Sequence, residues 1–213
     1  MTAPSRDVWP LIFAERAALA EDLAALPVEQ WSEQWSTPSL CAGLTVREVL
    51  AHLTAGASDN PVVWFAGALR NRFDFDANVA QRLAKRLGDG PADTLRQFRA
   101  VRTSRTKAPI PVVAMLGEII VHGEDIRRPL GIEHAYPAGA LERVAAFYAG
   151  SDLMLPSATR ARGLRLRATD GAFAAGDGPE VAGTTIALVM ALTGRDDYLA
   201  ELIGPGLAEF ASR

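Results

Sequence analysis

The chain has 213 residues, of which 49% are hydrophobic and 22% are charged, and its formal net charge of −3 is typical of a soluble globular protein. The slightly acidic balance excludes a basic surface for a phosphate backbone, so we expect no nucleic-acid partner. No apolar stretch is long enough to span a bilayer and the first residues lack the apolar core of a signal peptide, so we expect a cytoplasmic protein with no membrane partner.

Helical apolar spacing predicts a first helix from about Asp7 to Leu26. A tryptophan-containing connection follows, and Thr45 is predicted to begin the second helix. Thr45 and Glu48 have the spacing of a capping box, in which two residues satisfy each other's backbone N–H groups. Three further segments are compatible with helices: Asn60 to Arg72, Asp76 to Leu87 and Pro91 to Thr106.

Prolines bound the next predicted helix. Pro109 and Pro111 are expected to open it, and Pro129 with Gly131 is expected to close it. An alanine-rich helix from about Gly139 to Leu153 is predicted to follow.

The pattern changes after Pro156, where apolar and basic residues alternate from Leu164 to Thr169. Alternation with a period of two predicts a strand with one covered face. A turn-rich segment comes next, and a further helix is predicted from Thr184 to Thr193, ended by Gly194. We therefore predict a mainly α protein, with a helical bundle over residues 1–156 and a small α/β domain over residues 157–213.

Three potential metal ligands are spread over two of these helices. Glu118 and His122 lie four residues apart, which stacks their side chains on one helix face, and His52 lies beside the apolar stripe of the second helix. If the two helices are neighbours, the three side chains converge inside the bundle. Two imidazoles and one carboxylate suit zinc, nickel or cobalt and leave one coordination position open.

The same residues also have structural interpretations. A half-buried histidine is often only hydrogen-bonded, and a Glu/His pair at this spacing can be a helix-face contact. Asp125, one turn beyond His122, is predicted to hold a ligand or a bound thiol through a hydrogen bond. His134 is interpreted as a bystander in a loop, and the tryptophans are interpreted as packing residues rather than pocket walls: Trp31, Trp35 and Trp64.

The single cysteine, Cys41, excludes an internal disulfide and any zinc site built from several cysteines. It lies shortly before a helix N-terminus, where its pKa can fall, so it is a rival nucleophile. No histidine partner for it is evident from the sequence, and a small packed residue is the alternative interpretation.

Three segments resemble the mycothiol-dependent maleylpyruvate isomerase family, within the larger group of DinB-like metal-binding bundles. The first is TPSLCAGLTVREVLAHL, in which Leu44 replaces the family's usual tryptophan. The second is GEIIVHGEDIRRPLG, which is similar to the family's Glu-x-x-x-His pattern. The third is ALTGRDDYLAELIGPG, which resembles the closing Gly-Arg segment. The resemblance covers nearly the whole chain apart from about residues 56–108.

The resemblance implies a DinB-like up-down helical bundle with metal ligands His52, Glu118 and His122, and it places the family's catalytic arginine on Arg195. It also implies a divalent metal, zinc above all, and mycothiol, the low-molecular-weight thiol of actinobacteria, as cosubstrate. The metal-bound thiolate would serve isomerisation or S-transfer on a small electrophilic substrate. Arg195 would bind a carboxylate of that substrate. Without the resemblance, Arg195 is an ordinary exposed arginine at a helix C-terminus.

Two other functions stay open on the sequence. The same bundle is compatible with a non-catalytic metal-binding, ligand-binding or sensor protein. A metal-dependent hydrolase is a further alternative, with Glu124 and Asp125 near the ligands, although no strong general-base pattern accompanies them. The sequence does not indicate the substrate or the oligomeric state.

Overall fold

The structure of the protein is a computed structural model that describes residues 7–58 and 83–213. The chain forms two compact units, Met1–His134 and Ala135–Arg213. This division comes before the predicted boundary after residue 156, because the helix that follows His134 packs on elements from the end of the chain.

The first unit is helical. Its helices are α1 (Trp9–Ala25), α2 (Trp31–Gln34), α3 (Val46–Ser58), α4 (Pro91–Ala100) and α5 (Val112–Arg127), and a 3-10 turn covers Val28–Gln30. Helix α1 packs on α4 and α5, and α3 packs on the same two helices. These four helices therefore enclose a common core, as expected for a helical bundle.

The predicted capping box at the start of α3 is confirmed. The backbone N–H and the hydroxyl of Thr45 both donate to Oε2 of Glu48, at 2.8 and 2.7 Å, and the Glu48 N–H donates to the Thr45 hydroxyl at 3.4 Å. These bonds occupy N–H groups that have no partner within the helix. They define the start of the helix that carries His52.

The helix predicted from Pro91 to Thr106 ends early, at Ala100. Just beyond this end, Nη1 of Arg16 donates to the carbonyls of Val101 at 3.3 Å and Ser104 at 2.8 Å. Arg16 is only 3% exposed, and burial lowers its pKa to about 10, so its charge needs these acceptors.

Several predictions fall on residues that the structure does not describe. The helix predicted from Asn60 to Arg72 and Trp64 lie outside the described residues, as does most of the helix predicted from Asp76 to Leu87, of which residues 83–87 are helical. The packing interpretation of Trp35 is confirmed, because this side chain is buried and its ring lies 5.6 Å from that of Trp31.

The second unit combines helices with a small sheet. Its helices are α6 (Ala138–Gly150), α7 (Ser157–Ala161), α8 (Thr185–Leu192) and α9 (Leu207–Ala211), its strands are β1 (Arg165–Ala168), β2 (Ala174–Ala175) and β3 (Glu180–Gly183), and a 3-10 turn covers Asp196–Glu201. The strand order is β2-β1-β3, with β2 antiparallel and β3 parallel to β1. Helix α8 packs on α6 and on the sheet.

The strand predicted after Pro156 is confirmed as β1, with Leu166 and Ala168 buried on one face. Two further strands, β2 and β3, lie in the segment that is rich in turn residues. Gly176 makes part of this possible: its φ is +76°, and a Cβ there would overlap the carbonyl of Leu164. Glycines that indicate turns thus also allow close approach of the neighbouring strand.

Both predicted ends of helix α8 are also confirmed. The Thr184 hydroxyl accepts a hydrogen bond from the Ala187 N–H at 3.3 Å, and Gly194 follows the helix with a φ of +87°. Within the described residues, no helix combines the length and apolar character needed to cross a membrane.

Replacing Thr45 with alanine tests the capping box. The variant Thr45→Ala is expected to lower the free energy of unfolding by about 1 kcal/mol, because the first turn of α3 loses its side-chain acceptor. Urea denaturation measures the difference. Thr103→Ala, at an exposed turn position, is the matched control and should change stability little. Equal effects for the two variants would contradict the assignment.

Candidate metal centre

Helices α3 and α5 bring three potential metal ligands together. His52 comes from α3, Glu118 and His122 come from α5, and their ligand atoms lie within 4.8 Å of one another. Nε2 of His52 lies 3.3 Å from Oε2 of Glu118, and Nε2 of His122 lies 3.7 Å from the same oxygen. The two imidazole ring centroids are 4.8 Å apart. The two helices are therefore neighbours, as the convergence of these residues requires.

The burial pattern of each helix explains this placement. On α3, Val49, Leu50 and Leu53 are buried, which leaves His52 at the edge of the apolar face. On α5, Ile119 and Ile126 are buried in the same way. The ligand side chains therefore lie at the rim of the core, where hydrophobic packing holds the backbone and the polar atoms remain reachable.

The spacing of the ligand atoms fits a small divalent ion. Two ligands that each lie about 2.0–2.1 Å from a tetrahedral ion are separated by about 3.3 Å. The observed separations of 3.3 and 3.7 Å require only small side-chain adjustments. The side chains of His52, Glu118 and His122 are 26%, 24% and 12% exposed, so a small molecule can reach the site. The three residues fit zinc or a similar metal with one position open.

Asp125 orients one of the imidazoles. Its side chain is fully buried, and Oδ2 lies 2.8 Å from Nδ1 of His122. A carboxylate can only accept this hydrogen bond, so Nδ1 carries the proton and Nε2 is directed toward Glu118. Metal-ligating histidines commonly have such a carboxylate partner. Asp125 thus contacts His122, a candidate metal ligand. The predicted contact of Asp125 with a bound thiol stays a prediction.

The local charges favour a cation at this position. Burial lowers the pKa of His122, but hydrogen bonds to Asp125 and Cys41 and the negative charge of Glu118 outweigh it, and the pKa rises to about 10. Without a metal, the imidazole is therefore protonated near neutral pH and balances the carboxylates around it. A divalent ion would supply that positive charge in place of the proton.

The contact between Cys41 and His122 is the feature of the site that the sequence does not predict. The Cys41 thiol shares a side-chain hydrogen bond with His122 and is half-buried. The loop before α3 positions it, because the Leu40 N–H donates to the carbonyl of Asp125 at 3.2 Å. No spacing in the sequence signals this contact, since it joins a loop residue to a helix about eighty residues later.

Two further residues singled out from the sequence, Arg195 and His134, have polar contacts in the structure. Arg195 lies in the second unit, where it is buried and its Nη1 donates to the carbonyl of Thr193 at 2.7 Å. It is therefore not an ordinary exposed arginine, and its catalytic role stays a prediction. His134 is in neither group of candidate ligands, and its Nε2 lies 2.9 Å from Oε2 of the buried Glu15.

Replacing Asp125 tests its role in orienting His122. Asp125→Asn is expected to weaken zinc binding by about 10- to 100-fold, because the amide no longer holds the protonated Nδ1 with a charged acceptor. Competition with a chromophoric chelator measures the affinity, and urea denaturation of the metal-free variant separates a folding defect. Glu133→Gln, which removes an exposed carboxylate, is the control. Equal zinc affinities for wild type and Asp125→Asn would refute the orienting role.

Comparisons with known proteins agree with the fold. Residues 12–112 match the family described as the mycothiol maleylpyruvate isomerase N-terminal domain. A crystal structure of mycothiol-dependent maleylpyruvate isomerase is similar to this chain over 96% of both chains, with a TM-score of 0.58 and 13% sequence identity. A crystal structure of a histidine-to-alanine mutant of that isomerase is similar over the same share of both chains, with a TM-score of 0.63 and 14% sequence identity. The search of curated proteins gives no match. Residues 12–112 are therefore similar to the mycothiol maleylpyruvate isomerase N-terminal domain, and the chain has the fold of the two solved isomerase structures.

Proposed function

We propose that the protein is a metal-dependent enzyme that uses mycothiol for isomerisation or S-transfer on a small electrophilic substrate that carries a carboxylate. The observation that carries this proposal is the convergence of His52, Glu118 and His122 at distances suited to one divalent ion. The similarity of residues 12–112 to the mycothiol maleylpyruvate isomerase N-terminal domain supports it. Zinc suits the donor set best, and nickel or cobalt are compatible with it.

A divalent ion held by these residues would lower the pKa of a coordinating thiol, so that a sulfur nucleophile would be available near neutral pH. The protein residues do the positioning. His52 and His122 offer neutral nitrogens and Glu118 offers one carboxylate, which leaves a coordination position for the thiol. Asp125 holds the ring of His122 in the required orientation through its bond to Nδ1.

One set of residues would serve both reactions. Addition of a thiol to a maleyl-type double bond leaves a single bond, about which the substrate can rotate. Elimination of the thiol then gives the trans isomer, and the thiol is recovered. With an electrophile that cannot eliminate the thiol, the sulfur stays attached and the reaction is an S-transfer. The substrate therefore decides between isomerase and transferase.

Addition also places negative charge on the substrate carbonyl oxygen, and an arginine can stabilise that charge and bind a carboxylate. Arg195 is our proposal for this role. Its guanidinium is held by the Thr193 carbonyl, which reduces its rotational freedom before a substrate binds.

The burial of Asp125 argues against the hydrolase alternative. A general base for a metal-bound water needs a carboxylate that reaches the water. The Asp125 side chain is 0% exposed and is bonded to Nδ1 of His122, so it does not face a water at the open position beside Nε2. A non-catalytic binding protein would have the same metal ligands, but no reaction would take place at the open coordination position.

Spectroscopy of the cobalt-loaded protein tests the proposal. In a Cys41→Ser background the chain has no thiol of its own. Adding mycothiol is then expected to produce a thiolate-to-cobalt absorption band, because the added sulfur occupies the open position. His52→Gln or Glu118→Gln should prevent it through loss of the metal. His134→Gln, at the third histidine of the chain, is the control and should leave the band unchanged.

Turnover of maleylpyruvate with mycothiol then separates the functions. Formation of the trans isomer supports the isomerase, and a covalent thiol adduct supports the transferase. A sulfur band without turnover of any maleyl-type electrophile indicates a binding protein. Absence of the band at saturating mycothiol, in protein that retains cobalt, would overturn the proposed use of the thiol.

A further inference from the structure

We propose that Cys41, His122 and Asp125 form a second metal position, which shares His122 with the first and takes a thiophilic divalent cation such as zinc, cobalt or cadmium. One potential ligand atom from each of these three residues lies within 4.8 Å of those of the other two. This position does not depend on mycothiol or on any substrate, and it goes beyond the proposed function.

The two ring nitrogens of His122 face different carboxylates. Nε2 is 3.7 Å from Oε2 of Glu118, in the first position, whereas Nδ1 is 2.8 Å from Oδ2 of Asp125. The imidazole nitrogens direct their lone pairs away from each other, so two ions can bind to one ring. When both positions are filled, the ring bridges the two ions as an imidazolate.

The donor set is well suited to zinc-like cations. It consists of one thiolate, one imidazole nitrogen and one carboxylate, and all three are established zinc ligands. Binding replaces the proton on the Cys41 sulfur and the proton on Nδ1 of His122, and both protons are released to solvent. The cation then offsets the charge of Asp125, whose side chain is 0% exposed.

The loop that carries Cys41 is held near α5 before any ion binds. The Leu40 N–H donates to the Asp125 carbonyl at 3.2 Å, and the Ser39 hydroxyl donates to the carbonyl of Leu44 at 2.7 Å. Cys41 is half-buried, so an ion can approach the sulfur from solvent. The other two ligands come from adjacent turns of α5.

Cobalt titration in a buffer free of thiols tests this position directly. Cys41 is the only cysteine of the chain, so any thiolate-to-cobalt band must come from it. The wild-type protein is expected to bind about two equivalents of cobalt and to show the band. Cys41→Ser should bind about one equivalent without the band. Glu118→Gln, which weakens the first position, should keep the band.

Each outcome decides the proposal. A wild-type protein without the band at saturating cobalt would overturn it. Loss of the band in Glu118→Gln would also overturn it, because Cys41 would then belong to a single site with Glu118. Circular dichroism of each variant confirms folding before titration. The proposed function fails independently, when cobalt-loaded Cys41→Ser shows no band with added mycothiol.

Discussion

The packing of α3 against α5 is the constraint on which the rest of the site depends. Glu118 and His122 are adjacent on any α-helix, because four residues make about one turn. Only the contact between the two helices brings His52, 66 residues before Glu118 in the chain, to 3.3 Å from its carboxylate. The apolar side chains beneath these residues thus set the geometry of the candidate metal centre.

The electrostatics of the site follow from this placement. Asp125 is fully buried and Glu118 is mostly buried, and carboxylates in such surroundings need a positive partner. The protein supplies one in the form of His122, whose pKa is raised to about 10. This balance holds the site together without a metal, and it also makes the same atoms good ligands once the proton is replaced by an ion. Cys41 adds a softer donor to the same cluster.

Much of the site could be predicted from the sequence, because its main features are local. The prolines around α5 and the spacing of Glu118 and His122 define a helix face within one segment of chain. The capping box of α3 is likewise local, since it needs only Thr45 and Glu48. Placing His52 beside this face required the resemblance to a known family, because a single sequence does not show which helices are neighbours.

The features that could not be predicted are long-range. Beyond the early end of helix α4, the carbonyl of Val101 accepts a hydrogen bond from Arg16 of α1. The approach of Cys41 to His122 depends on a loop whose own residues carry no signal for it. Strand β3 has only four residues in a glycine-rich segment, and it forms because β1 pairs with it in parallel. In each case the deciding partner lies elsewhere in the chain.

Anomalous diffraction from crystals of the zinc-loaded protein tests the convergence of the three ligands most directly. A zinc peak is expected about 2.1 Å from Nε2 of His52, from Nε2 of His122 and from one carboxylate oxygen of Glu118, with a coordination position open to solvent or to an added thiol. A fully loaded crystal with no zinc between these three side chains would contradict it.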